Sequence, residues 1–295
     1  MTTVRRSRHH LAGRARGSDL KDPRMPDHPI PSSSWPRRAV LGGAGLAIAG
    51  VVSGCADGDG SPAAATGQED GATAAAPRLE APEILSTIDW GARIPEGHQQ
   101  TLYERPSYLV IHHTATPNVT DGSRQAAVDI AQRVQSQHIN QGWGDSGQHF
   151  TMSRGGYPLE GRHGSLFTLN GGQDFMLGVH ALGFNAYALG IECEGFYMLN
   201  PPPQSLYAGL VKLASYICQQ YELPPSRIIG HRDIVKTSCC GDAFYSKLPV
   251  LREDVRLSLE SGEYHVTEGF GADNLFDDSE IDTENYKEYR SRTGG

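Results

Sequence analysis

Residues 56–82 read ADGDGSPAAATGQEDGATAAAPRLEAP, without one aromatic residue and with Leu79 as the sole aliphatic side chain larger than alanine. Such a stretch cannot bury enough apolar surface to offset the entropy lost on ordering. Residues 56–83 are therefore read as a flexible tether. At the other end, residues 261–288 carry nine acidic side chains against one lysine, so residues 261–295 are read as an acidic, disordered tail. A single folded domain is expected over residues 84–260.

Within that span the apolar spacing alternates between strand and helix periods. SYLVIHHTA reads as a buried strand, YALGIECEG (187–195) and RIIGH as further strands, and QHFTMSRGGYPLEG as two strands joined at a Gly-Gly turn. Ser123 can cap a helix to about Gln141, with Ala127, Ile130, Ala131, Val134 and Ile139 on one side and Gly142 as its stop. SLYAGLVKLASYICQQYE carries a second helical stripe, Leu206, Leu210, Leu213, Ala214, Ile217 and Cys218, and LPVLREDVRLSL makes a last helix. The fold class expected is α/β, a single mixed central β-sheet flanked by helices.

Residues 1–55 read as an address. Arg37-Arg38 precede AVLGGAGLAIAGVV, a modest Gly- and Ala-rich run, and VSGC follows, ending at Cys55. Paired arginines before a weakly apolar segment resemble a twin-arginine export signal, and VSGC resembles a lipidation site at Cys55. The run is short for a membrane span. An extracytoplasmic protein held to the membrane only by a lipid on Cys55 is expected, either Met1 or Met25 serving as its start. The net charge of −8 argues against nucleic acid as a partner. A monomer is expected.

Two histidines end strands, His112 in VIHHT and His231 in IIGHRD, and Cys239 follows eight residues after the latter. Two imidazoles and a thiolate suit zinc better than magnesium or calcium, and catalytic zinc sites use three protein ligands with one position open. By spacing alone this triple is one of many that 12 histidines and five cysteines can offer.

The ordered series VIHHTAT, GW-x-D-x-G-x-HF, GVHALGFNAYALGIECEG and GHRD with its downstream cysteine resembles the zinc-dependent N-acetylmuramoyl-L-alanine amidases, the superfamily of the peptidoglycan recognition proteins and the phage lysozyme-type amidases. The resemblance runs from about Trp90 to Leu257. It implies zinc on His112, His231 and Cys239, and hydrolysis of the bond between N-acetylmuramic acid and L-alanine in peptidoglycan. Two positions depart from the phage pattern: Gln148 stands where a tyrosine is usual, and Thr237 where a lysine is usual. The cytosolic anhydromuropeptide amidases carry a glutamate on the corresponding strand, which implies Glu192 as general base. His180 is implied as a cleft histidine that donates to the oxyanion, and Thr237 as a neutral donor in place of the lysine.

Alternation along the strand sends Cys193 toward Cys218 and puts Glu192 and Glu194 on the cleft side. His113 is expected on the far side of its strand, and His138 against the terminal carbonyls of its helix. Cys240, where proline is common, is an inert neighbour, a disulfide partner or a competing ligand. The rival reading is a peptidoglycan-binding protein without catalysis. A weaker third option is a zinc hydrolase of another amide.

Overall fold

The computed structural model describes residues 77–270. In chain order the elements are β1 (Thr101–Leu102), β2 (Tyr108–His113), α1 (Arg124–Asn140), β3 (Phe150–Met152), β4 (Pro158–Glu160), α2 (Ser165–Gly171), β5 (Phe175–Met176), β6 (Ala188–Cys193), α3 (Gln204–Tyr221), β7 (Ile228–Gly230), α4 (Asp242–Tyr245) and α5 (Leu248–Ser261). The central sheet has the order β4-β3-β6-β2-β7, and β1 pairs with β5 in a separate two-stranded ribbon. Strands β3, β6, β2 and β7 run parallel, while β4 is antiparallel to β3. The sheet is thus mixed, as the sequence predicts.

Register divides the sheet into two faces. Ile111, Ile191 and Phe150 lie in one row across three strands, and His113, Cys193 and Met152 in a second row two residues along. All are buried, and Ile111, Ile191, Phe150, Cys193 and Met152 share one core with Leu206, Leu210, Val211, Leu213, Ala214, Ile217 and Cys218 of α3 and Leu251 and Val255 of α5. Removing this much apolar surface from water is the main favourable term, about 1.5–3 kcal/mol for each large aliphatic side chain. Cys193 and Cys218 are both free thiols within that core.

The intervening row, His112, Glu192 and Thr151, faces the other way. Helix α1 starts where Ser123 accepts the Ala126 N–H at 3.2 Å, and it buries Ala127 and Ala131 with Trp90, Leu85 and Leu159. The chain leaves it through Gly142, whose φ of +81° suits a residue without a Cβ.

Packing reaches past both expected limits of 84 and 260. Leu79 is buried, and its backbone N–H and carbonyl pair with the side chain of Gln219. At the other end, Phe270 stacks on Tyr207 with ring centroids 3.5 Å apart, while Thr267 donates through N–H and hydroxyl to the two oxygens of Asp254. Each extension is held by a few scattered contacts in a polar stretch, too sparse a signal to read from composition. The ribbon β1–β5 and the short α2 and α4 were equally absent from the expected elements, because two to seven residues carry little periodicity. The expected export signal and Cys55 lie outside the described residues. Among the described residues, no helix is long and apolar enough to cross a membrane.

Candidate metal centre

His112 is the fifth residue of β2 and sits beside Glu192 in register. His231 follows Gly230, whose register partner is Ile111, so both histidines leave neighbouring strands at the same end of the sheet. Cys239 arrives on the loop after β7. That loop is folded by the other residues of the GHRD segment: Asp233 accepts the Gly230 N–H at 2.8 Å, and Arg232 donates to the carbonyls of Ser238 and Cys239 and to the Asp242 carboxylate. Thr237 Oγ1 accepts the Cys239 N–H at 3.2 Å. The Cys239 sulfur in turn accepts the His113 N–H at 3.4 Å.

The result brings one ligand atom from each of His112, His231 and Cys239 to within 4.8 Å of the others. Cys239 Sγ lies 3.9 Å from His112 Nδ1. Ligands on a tetrahedral zinc stand about 3.3–3.6 Å apart, given bonds of about 2.0–2.3 Å. The two imidazoles and the thiol therefore fit a zinc ion with modest contraction. Cys239 and Cys240 are both free thiols. Burial, with Cys240 adding to it, pushes the Cys239 thiol well above its ordinary range. A cation binding there displaces that proton, so affinity falls as pH falls.

A cavity of about 180 Å³ opens over these residues, lined also by His180, Glu192, His138, Trp143 and Gln148. Burial pushes the Glu192 carboxyl up to about 7, although its side chain keeps some exposure on the cavity wall. Burial likewise holds His112 well below the usual histidine range, with the neighbouring His180 and His231 acting in the same direction. His180 and His138 are lowered to about 4, again by burial. The cavity wall is thus neutral imidazole at pH 7, with one carboxyl close to its midpoint.

Of the residues expected at the site, His112, His180, Glu192, His231 and Cys239 come together around this cavity. Glu194 lies on the same strand face but is turned into the protein, where Oε2 accepts the Arg154 N–H at 2.9 Å. Thr237 is engaged with the Cys239 backbone instead of standing in the cavity wall. His180 has both ring nitrogens within hydrogen-bond distance of protein, at 3.0 Å from His112 Nε2 and 3.1 Å from the Ala188 carbonyl. This arrangement leaves no ring N–H for an oxyanion, which corrects the donor role expected for His180. His113 points to the core face and stacks on Phe196.

His138 also departs from expectation. Its Nδ1 accepts the Gly147 N–H at 3.0 Å and its ring lies on Trp143, 4.4 Å between centroids, so it reaches the cavity and not its own helix end. The signal was present: His138 continues the buried stripe of Ala127, Ala131 and Val134 at four-residue or three-residue steps. Gln148 donates to Thr151 Oγ1 at 2.9 Å, and its Oε1 is buried with no protein partner among the described residues.

Residues 102–242 match the model of the family described as N-acetylmuramoyl-L-alanine amidase. Peptidoglycan-recognition protein LB of Drosophila melanogaster is 28% identical over 167 residues, 56% of this chain and 67% of that protein. The N-acetylmuramoyl-L-alanine amidase of Homo sapiens is 29% identical over 174 residues, 58% of this chain but 28% of that protein. The chain thus spans about two thirds of the first relative and little more than a quarter of the second. Among solved structures, wild-type Drosophila PGRP-LB aligns at a TM-score of 0.49 and 24% identity, over 63% of this chain and 98% of that one. Peptidoglycan recognition protein LE, solved in complex with tracheal cytotoxin, aligns at 0.49 and 26% identity, over 57% and 92%. Residues 102–242 thus carry a domain of the type described as N-acetylmuramoyl-L-alanine amidase, and the chain is similar there to proteins named as amidases and as peptidoglycan recognition proteins.

Proposed function

We propose that this protein is a zinc-dependent hydrolase that cuts the amide bond between N-acetylmuramic acid and L-alanine in peptidoglycan. The observation that carries this reading is the convergence of His112, His231 and Cys239 on one point of a cavity whose wall also holds Glu192. His112, His231 and Cys239 would hold the ion. Zinc, when bound, supplies Lewis acidity toward the scissile carbonyl and acidifies water toward neutral pH.

The chain's own residues do the rest. Glu192, in register beside His112, takes a proton from the water that attacks the carbonyl carbon. As the C–N bond breaks, the same carboxyl returns that proton to the departing alanine nitrogen. A carboxyl near 7 is suited to both halves, since it accepts and releases at neutral pH. The thiolate of Cys239 is oriented by the His113 N–H, and its loop by Arg232 and Thr237. Trp143 and His138 offer an aromatic wall on which a sugar or peptide can lie.

The reading extends to place. Export through the paired arginines and a lipid on Cys55 would hold the domain outside the cytoplasmic membrane, facing the wall, as a monomer. Mass spectrometry of the mature N-terminus tests this, and an unmodified Cys55 overturns it.

Incubation with purified cell wall tests the chemistry. Wild type is expected to release free stem peptides, and Cys239→Ala to release none. One specific observation favours a second reading, peptidoglycan binding without turnover: Gln148 and Thr237 stand where the phage-type enzymes carry tyrosine and lysine. Retention on wall by both proteins with no peptide from either would decide for it.

A further inference from the structure

The hydrogen bonds around His180 settle where the protons lie on two rings. The Ala188 carbonyl can only accept, so His180 Nε2, 3.1 Å away, carries a hydrogen and donates it. A second proton on Nδ1 would place an imidazolium in a buried site that already holds the rings of His112 and His149, 5.1 and 5.3 Å away between centroids, at a high desolvation cost. His180 Nδ1 is then a lone pair. His112 Nε2, 3.0 Å from it, must be the donor. What remains on His112 is an unprotonated Nδ1, and this is the atom that lies 3.9 Å from Cys239 Sγ.

We infer that His180 is a positioning residue: through a carbonyl–histidine–histidine relay it fixes the tautomer and ring angle of His112, so that His112 meets the metal through Nδ1. Metal-bound histidines usually pass their second N–H to a carboxylate, a carbonyl or water. Here an imidazole stands between ligand and carbonyl. The surroundings are shaped to hold that ring. A Cβ at Gly190 would come within 2.6 Å of His180 Nδ1, and one at Gly178 within 2.6 Å of its Cδ2. Asn185 Oδ1 accepts the backbone N–H groups of His180 and Ala181 at 2.9 and 2.8 Å, fixing the loop that carries the ring.

The inference rests on the metal-centre reading, and its test separates the two. Long-range 1H–15N spectra of the 15N-labelled, metal-free chain should show His112 protonated at Nε2 and His180 at Nε2. After loading with 113Cd, coupling from the metal should reach His112 Nδ1. His180→Leu should weaken zinc binding roughly 10- to 100-fold in a chelator competition while far-UV circular dichroism stays native. His180→Asn, which keeps an acceptor close to the Nδ1 position, should recover most of that loss. The relay is overturned if His112 is protonated at Nδ1, if cadmium couples through its Nε2, or if folded His180→Leu binds zinc as wild type does. Should His180→Leu fail to fold, the wild-type tautomer decides. A wild type that takes up neither ion sinks the metal reading, and the metal-free spectrum still judges the relay.

Discussion

The two faces of strand β6 lie one residue apart and live by different rules. Ile191 and Cys193 sit in hydrocarbon against α3, where volume and shape are what matter. Glu192, between them, belongs to a polar layer in which His112, His149 and Thr151 are buried while Glu192 and His180 keep some exposure on the cavity. The imidazoles of that layer are matched one to one: His149 takes the Gly190 N–H on Nδ1 and meets the Met176 carbonyl with Nε2, and His180 and His112 continue the pattern. A core face tolerates exchange of similar volumes. A buried polar face loses the desolvation cost of whichever partner is orphaned. Glu192 is the group on that face that burial alone pushes up to about 7, and the contrast can be broken experimentally at that point.

The largest expected effect is on the ligand thiol. Cys239→Ala should lower bound zinc from about one per chain to near none by elemental analysis, and reduce peptide release from wall to background. Next comes Glu192→Gln, which should keep zinc yet slow turnover by roughly 10²–10⁴-fold. Retained activity would remove Glu192 as the base. On the opposite face, Leu210→Ala should cost about 2–5 kcal/mol in urea unfolding while leaving zinc affinity unchanged. A change in metal affinity from that substitution would show that the two faces are not independent.

A smaller effect sharpens the electrostatic half of the comparison. The folded-state value for Glu192, about 7, lies above its ordinary 4.5. Stability linked to this carboxyl is therefore fully present below about 4.5 and is lost as pH rises through about 7. In the metal-free chain Glu192→Gln should then be more stable than wild type at pH 8, by roughly 2–3 kcal/mol after allowance for the cavity opening. The difference should shrink on acidification and vanish near pH 4.5. The least effect belongs to a site remote from both faces: Ser123→Ala should cost about 1 kcal/mol by removing the cap of α1.

Much of this was legible in the chain. Helix α1 from Ser123 to Gly142, helix α3 with its Leu206-to-Cys218 stripe, and the Gly-Gly hairpin followed from local spacing. The motif series pointed to His112, His231, Cys239 and Glu192. Legibility failed where a residue's task depends on a distant partner. Leu79 is anchored by Gln219, 140 residues away, and Phe270 by Tyr207. Alternation put Glu192 and Glu194 on one face, but it is the Arg154 N–H that turns Glu194 away from the cavity.

By itself the sequence determined which elements form and which donor atoms are available, because backbone periodicity, capping and residue chemistry act over a few neighbours. Tertiary structure alone decided which of those atoms meet. The parallel register of β2, β6 and β7 aligns His112 with Glu192 and delivers His231 beside them, and the loop after His231 returns Cys239 to the same point. It also decided the chemistry of individual nitrogens, since the proton on an imidazole goes where a carbonyl can receive it, and the carbonyl that fixes His112 belongs to Ala188, reached through a third residue.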